Sequence, residues 1–318
     1  MSFPRYDDLP GAPGGGRSAW GLSDAHDVIG RLSLLGADEV RQAVSLVRAG
    51  SVFALSAAAD EFDPPLDDTR SVTRHRVLRG GGAAGVEDLD DVLDDYFPQI
   101  SSQWDSLAHI AASPGVFYNG ATVEDVLERG VNTIDHWARR GIVGRGVLLD
   151  VRRALTDVVD TSHGSIAFSV DDLESARQFQ GVEFSPGCLV LVRTGFLEWY
   201  RGQGPDSRAA LSQDLHAPGI EHSEAMARYL WDNGLSAIVS DSFATEVWPP
   251  DWTDKARPFG FLHRVLIGRL GMAIGELWDL EALATNCQAN GVYEFLVVSA
   301  PLHVRGAIGS PANAIAIK

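Results

Sequence analysis

Residues 99–109 read QISSQWDSLAH and are the most informative stretch of this chain. Gln103 and Asp105 are two positions apart, so on an extended segment both side chains point to one side, and His109 follows a short turn later. Carboxylate and imidazole are common zinc or manganese ligands, and an amide oxygen is a weaker one. By spacing alone, a capped turn around a buried Trp104 is the more common structure for such a segment, and a divalent metal site is the alternative.

The segment also resembles the signature of the metal-dependent cyclase family, H-x-G-T-H-x-D-x-P-x-H, a family that includes bacterial kynurenine formamidase and isatin hydrolase. Asp105 and His109 match its Asp and its last His, whereas Gln99 and Gln103 stand where its first two histidines would be. The form Q-x-x-x-Q-W-D-x-x-x-H is similar to the branch that contains trans-dienelactone hydrolase, a zinc-dependent lactone hydrolase. With Trp104, all five residues of that form are present.

Other short motifs extend the resemblance over most of the chain from about residue 18 onward. They follow the family order, with Ser33 in place of a usual Asn before the paired leucines. The matching segments are 20–21 (WG), 34–35 (LL), 117–120 (FYNG), 141–150 (GIVGRGVLLD), 218–219 (PG), Asp241, 247–250 (VWPP), 263–264 (HR), 276–277 (EL) and 309–313 (GSPAN). Chance agreement of so many spaced motifs is improbable, so the sequence is identified as a member of this family.

The resemblance implies that His263 and Glu276 complete a metal centre with Asp105 and His109. Without it, His263 would be interpreted as a surface or packing histidine, and Glu276 as the acid at the start of a helix. An amide at Gln103 in place of an imidazole weakens the affinity for soft metals, which favours manganese over zinc or one ion over two. Further residues are implied to line the substrate pocket, although ordinary core packing is the alternative for the aromatic ones: Trp104, Tyr118, Asn119 and Asn313.

The function that this resemblance implies is hydrolysis of a small cyclic ester or amide with a zinc or manganese ion. A bound cation acidifies its water and polarises the carbonyl that the water attacks. His109 is then either a ligand or the base that handles the proton. Because amides donate as well as accept hydrogen bonds, we expect Gln99 or Gln103 to bind the substrate carboxylate or the oxyanion.

Two other functions stay open at this point. The first is a metal-dependent cyclase or dehydratase that acts on a biosynthetic intermediate, and the second is a binding protein that lost catalysis through the two glutamines. A serine hydrolase is excluded because Gly-x-Ser-x-Gly does not occur. Neither Cys188 nor Cys287 lies in a recognisable nucleophile motif.

Composition limits the partners. The chain has 318 residues, 45% of them hydrophobic, with 26 Lys and Arg against 43 Asp and Glu and a net charge of −17. This charge disfavours nucleic acid and anionic membranes, so we expect a small-molecule substrate and no nucleic-acid or membrane partner. Two cysteines, no apolar signal segment and no long apolar run predict a cytoplasmic protein. The resemblance implies a homo-oligomer.

The predicted fold is mixed α/β, because buried apolar strands alternate with helices. The resemblance implies the swivelling β/β/α cyclase-family fold, a barrel-like mixed sheet with helices outside. Proline and glycine in residues 1–19 predict an extended N-terminal arm that wraps a neighbour or is disordered, and residues 20–318 form one catalytic domain. The acidic stretch 87–95 is interpreted as a solvated face or the start of a helix.

Overall fold

The computed structural model describes residues 4–80, 86–155 and 160–318. Gly81 and Gly82, part of a glycine-rich stretch in the sequence, lie outside these ranges, as do residues 1–3 of the predicted arm. The α-helices are α1 (Ala37–Val44), α2 (Val123–Arg129), α3 (Asp135–Arg140), α4 (Val151–Ala154), α5 (Val170–Gln180), α6 (Phe196–Arg201), α7 (Pro205–Gln213), α8 (Glu224–Asp232), α9 (His263–Leu266) and α10 (Glu281–Asn290). Within the described ranges, no helix has the length and apolar character needed to cross a bilayer.

The β-strands form one large sheet and two small ones. They are β1 (Val52–Ala54), β2 (Arg74–Arg79), β3 (Leu89–Asp94), β4 (Gln103–Asp105), β5 (Ile142–Asp150), β6 (Ala167–Phe168), β7 (Leu189–Arg193), β8 (Gly219–Ile220), β9 (Ala237–Ser240), β10 (Ala273–Glu276), β11 (Glu294–Ser299), β12 (Gly309–Pro311) and β13 (Ala314–Ile317). The large sheet has the order β1-β13-β11-β5-β7-β9-β10-β4-β12 and curls into a half-barrel with helices around it. The prediction of a mixed α/β barrel-like sheet is therefore confirmed.

The centre of this sheet is parallel and its two sides are antiparallel. Strands β5, β7, β9 and β10 run parallel, and β4 and β12 then add antiparallel strands at one side. Parallel strands are usually covered on both faces, which matches their near-continuous apolar sequence. The apolar run 147–151 (VLLDV) predicts a buried strand; the observed strand begins earlier, at Ile142, and Val151 instead starts α4.

Local sequence determines several helix ends. Thr122 and Asp125 form a reciprocal capping box at the start of α2, and Gly130 ends that helix in the left-handed conformation. Ser169 and Asp172 form the same box at α5. Thr122 and Ser169 with their acidic partners predict both helix starts from sequence, because capping depends on residues only three positions apart.

The acidic stretch 87–95 contains a strand and not the start of a helix. Here β3 pairs with β2, in a hairpin whose side chains are largely exposed. Arg76 pairs with Asp94 across the hairpin at 2.6 Å, so cross-strand charge pairs take the place of a helical first turn. The solvated acidic face was predicted correctly, and the helix was wrong.

The described part of the N-terminal segment packs on its own chain. Tyr6 and Leu9 are buried, and the backbone N–H of Tyr6 donates to Asp232 at 2.7 Å. The indole N–H of Trp231 donates to the carbonyl of Pro4 at 2.9 Å. Pro4 and Tyr6 therefore contact the end of α8 within the same chain.

Candidate metal centre

Three neighbouring strands position the centre. β4 lies between β10 and β12, and its register places Gln103 opposite Glu276 and Asp105 opposite Ile274. Side chains alternate along a strand, so Gln103 and Asp105 share one face, as the sequence predicted, while Trp104 points to the other. This pairing brings Glu276 to the same part of the sheet although it is 173 residues from Gln103.

Asp105, His263 and Glu276 form a buried group whose ligand atoms all lie within 4.8 Å of one another. His263 Nε2 is 3.0 Å from Glu276 Oε1 and 3.9 Å from Asp105 Oδ2. Ligand atoms with bonds of about 2.0–2.2 Å to one zinc ion lie about 3–4 Å apart. Two carboxylates and one imidazole at these separations fit a single divalent cation.

Unpaired acceptors support this fit. Both carboxylate oxygens of Asp105 and the side-chain oxygen of Gln103 are buried without a hydrogen-bond partner among the described residues. A buried acceptor with no partner costs roughly 1–3 kcal/mol, and more when it is charged. A divalent cation bound beside Asp105 would satisfy these oxygens, because carboxylate and amide oxygens are hard ligands and the imidazole of His263 is a borderline one.

Burial and charge determine the protonation of Asp105. Removal from water, followed by the nearby charge of Glu276, raises the pKa of Asp105 to about 8. Without a cation the carboxylate thus holds a proton near neutral pH. The positive charge that would restore its ionised form is what a metal ion provides.

His109 lies beside this group and is more open to solvent. Its Nε2 is 3.7 Å from Asp105 Oδ1, and 22% of its side chain is exposed. Burial, and then the positive charge of His263, lowers the pKa of His109, so its imidazole is neutral at neutral pH. A neutral imidazole at the open side of the group is suited to accept a proton.

Gln99 lies at the edge of the same region. A Cβ added to Gly309 would lie 2.3 Å from Gln99 Nε2, so the glutamine side chain crosses β12 where Gly309 pairs with Asp105. The backbone carbonyl of Gln99 accepts a hydrogen bond from Arg70. Gly309 permits this close approach because it has no side chain.

The implied pocket residues make hydrogen bonds to other parts of the chain. Trp104 is fully buried on the opposite face of β4, where its indole donates to Ser299 Oγ at 2.9 Å. Trp104 packs against Trp137 and Trp278 in the core, and a substrate-contacting role for Trp104 stays a prediction. Asn313 is exposed and donates to the carbonyl of Ala300.

Tyr118 and Asn119 contact residues 21–27, which precede α1. The Tyr118 hydroxyl donates to Asp27 at 3.0 Å. The Asn119 side chain accepts from the backbone of Gly21 at 2.9 Å and donates to the carbonyl of Asp24. These contacts fix residues 21–27, and a substrate-binding role for Tyr118, Asn119 or Asn313 stays a prediction.

Sequence reasoning missed Glu246 and assigned no role to His222. Glu246 is 1% exposed and contacts His263 Nδ1 directly. His222 Nε2 is 2.8 Å from the other carboxylate oxygen of Glu246. Glu246 directly precedes the VWPP segment, but no spacing rule connects it with a histidine 17 residues later, so only the tertiary contact identifies it.

The fold and the buried carboxylate–histidine group place this chain in a family of α/β proteins with a half-barrel sheet. The Cyclase family model matches residues 74–247, which is more than half of the chain, and the chain belongs to that family. The match includes Asp105 and His109 and ends before His263 and Glu276. A search of curated proteins found no significant match.

Solved structures agree with this assignment. A crystal structure described as a novel cyclase is 27% identical, with a TM-score of 0.82, and the alignment covers 95% of this chain and 99% of that one. Isatin hydrolase A from Labrenzia aggregata, bound to benzyl benzoate, is 15% identical with a TM-score of 0.57 over 84% of this chain and 93% of its own. Isatin hydrolase A from Ralstonia solanacearum is 17% identical, with a TM-score of 0.54 over 87% and 94%. At these identities, the two hydrolases show a shared fold.

Proposed function

We propose that this protein is a metal-dependent hydrolase that opens a small cyclic ester or cyclic amide with water. The observation that carries the proposal is the buried group of Asp105, His263 and Glu276, with unpaired acceptor oxygens and a neutral His109 at its open side. Zinc and manganese are the cations that this mixture of carboxylate and imidazole favours.

Each side chain has a distinct role in this proposal. Asp105, His263 and Glu276 would hold the cation, which when bound supplies an acidified water and a polarised carbonyl. His109 accepts the proton that leaves the attacking water, because its Nε2 faces Asp105 and its imidazole is neutral. After ring opening, the same nitrogen returns the proton to the leaving oxygen or nitrogen.

The partial exposure of His109 favours hydrolysis over a cyclisation from which water is excluded. The His109 side chain is 22% exposed beside the buried group, and this exposure supports access of water to the side on which the proposed base lies. The comparison with isatin hydrolases supports a cyclic amide among the substrates to be tested, and the Q-x-x-x-Q-W-D-x-x-x-H motif supports a lactone.

The test combines bound metal with turnover. The wild-type protein, Asp105→Asn and the matched control Asp135→Asn are incubated with zinc or manganese, freed of excess ion and analysed for metal per chain. Asp135 is also a buried carboxylate, but its partners are Thr133 and Arg139. Each protein is then assayed against a panel of lactones and cyclic amides by chromatographic measurement of the ring-opened product.

We expect about one ion per chain in the wild type and in Asp135→Asn, with ring opening of at least one substrate class, and loss of both in Asp105→Asn. Absence of metal from the wild type would contradict the proposal. So would a metal-loaded wild type that leaves every ring intact but cyclises or dehydrates an open-chain acid.

A further inference from the structure

Three nitrogen atoms lie within hydrogen-bonding distance and geometry of the Glu246 carboxylate, and the His222 ring lies close to it. Its Oε1 accepts from the backbone N–H of His263 at 2.8 Å and contacts Nδ1 of the same residue. Its Oε2 accepts from the backbone N–H of Leu262 and lies 2.8 Å from Nε2 of His222. The carboxylate therefore contacts both the ring and the backbone of His263.

We propose that Glu246 is a positioning residue that holds His263 with Nδ1 protonated and Nε2 directed at the metal centre, and that His222 holds Glu246 in turn. This inference rests on the proposed function, since it assigns His263 as a ligand. A ligating histidine needs a partner at its second nitrogen to fix the ring orientation and the tautomer. Glu246 is that partner, and it contacts neither Asp105 nor Glu276 in the described structure.

The backbone around Glu246 is strained in a way that places its side chain. Ala244 and Thr245 both have positive φ values, 65° and 56°, in the left-handed region that residues with a Cβ rarely adopt. Thr245 Oγ1 donates to the carbonyl of Gly275 at 2.8 Å, one residue before Glu276. This bond joins the Glu246 segment to β10, the strand that carries Glu276. The carboxylates that contact the two ring nitrogens of His263, those of Glu246 and Glu276, are therefore held by neighbouring backbone segments.

Close packing also fixes this segment from behind. A Cβ on Gly219 would lie 2.2 Å from the backbone carbonyl carbon of Glu246, so only glycine fits there. The ring of Phe261 stacks on the ring of His263, with centroids 5.0 Å apart and planes 14° from parallel. The stacking sets the plane of the imidazole, and the Glu246 contact sets which nitrogen faces the centre.

Replacing the carboxylate by an amide tests the charge and leaves the shape nearly unchanged. In Glu246→Gln, one oxygen becomes an amino group, which cannot accept from Leu262 N–H or from His263. Loss of an outer partner of a metal-binding histidine typically weakens metal affinity by 10- to 100-fold. The matched control is Glu281→Gln. In the wild type, the Glu281 carboxylate pairs with Arg193, and no contact with His263 occurs among the described residues.

The experiment measures zinc affinity by competition with a chelator and records the imidazole ¹⁵N spectrum of the zinc-loaded proteins. We expect Glu246→Gln to bind zinc 10- to 100-fold more weakly, and its His263 Nδ1–H signal to lose the downfield position of a carboxylate-bound proton. Glu281→Gln should match the wild type in both. If Glu246→Gln does not fold, judged by its melting transition, His222→Asn replaces it, with an expected loss of severalfold.

The outcomes separate this inference from the proposed function. Unchanged zinc affinity and an unchanged Nδ1–H signal in the variant would overturn the inference alone. Zinc binding by the wild type without ring opening of any substrate would overturn hydrolysis, while the affinity ratio still decides the role of Glu246. A wild type that binds no zinc and no manganese would overturn both.

Discussion

The side-chain amide of Gln103 donates a hydrogen bond of 2.7 Å to Oε2 of Glu276 across two antiparallel strands. The amide thus supports a proposed ligand with its nitrogen, while its oxygen is one of the buried unpaired acceptors. Replacing the histidine of the family signature by glutamine therefore gives this position both a donor and a weak ligand atom.

We expect Gln103→Ala to weaken metal binding about tenfold, because Glu276 loses its donor and the centre loses an oxygen. Gln99→Ala is the matched control, since its side chain lies across Gly309 at the edge of the centre. Calorimetric titration with manganese measures both affinities. If Gln103→Ala keeps full metal affinity but loses turnover, Gln103 instead binds the oxyanion. If metal binding weakens as expected, Gln99 is the candidate for that role.

His109→Asn decides whether this histidine is a ligand or a base. His109 lies outside the group of three close ligand atoms, so we expect the variant to keep its metal and to lose about 10²- to 10⁴-fold in kcat. His75→Asn, in the exposed hairpin, is the control and should retain activity. Metal content and kcat are measured on the same preparations, and loss of metal from His109→Asn would make His109 a ligand.

Metal binding should release protons near neutral pH. Burial lowers the pKa of His263, but its hydrogen bonds and charge interactions, first with Glu246 and then with Glu276, outweigh this and raise the pKa to about 10. The pKa of Asp105 is raised to about 8, so both groups hold protons at pH 7 that a ligand must lose. We expect about two protons released at pH 7 and about one at pH 9, with affinity rising with pH.

Calorimetry in buffers of different ionisation enthalpy counts these protons. Asp105→Asn has no carboxyl proton to lose, so any residual binding should release about one proton fewer than wild type at pH 7. Zero proton release by the wild type would contradict the protonation of His263 that its contacts with Glu246 imply.

Asp105 should reduce the stability of the metal-free protein. Because its pKa is raised from 3.8 to about 8 by folding, the folded state loses stability as pH rises from about 4 to 8. Asp105→Asn removes this effect, so we expect its metal-free form to melt several degrees above wild type at pH 8, with a smaller difference at pH 5. Asp135→Asn should melt no higher than wild type, since Arg139 pairs with Asp135 at 2.5 Å. Equal melting temperatures of Asp105→Asn and wild type at pH 8 would show that Asp105 is not a buried, uncompensated charge.

Elements that depend on near neighbours were predicted well from sequence. The capping residues Thr122 and Ser169 mark the starts of α2 and α5, and the apolar run after Gly146 marks a buried strand. The short strand β10 was not predicted, and Glu276 at its end was interpreted without the family as a helix-start acid. A four-residue strand has too little periodicity to be distinguished from a loop, and its identity depends on pairing with β4 and β9.

The family, the mixed sheet and the shared direction of Gln103 and Asp105 follow from the sequence, because strand alternation and motif order are local properties. The tertiary structure was needed to show that Trp104 is a core residue, that His109 lies outside the three-residue group and that Glu246 contacts His263. These relationships join residues far apart in the chain. They depend on strand register and burial, which arise only when the sheet closes around its core.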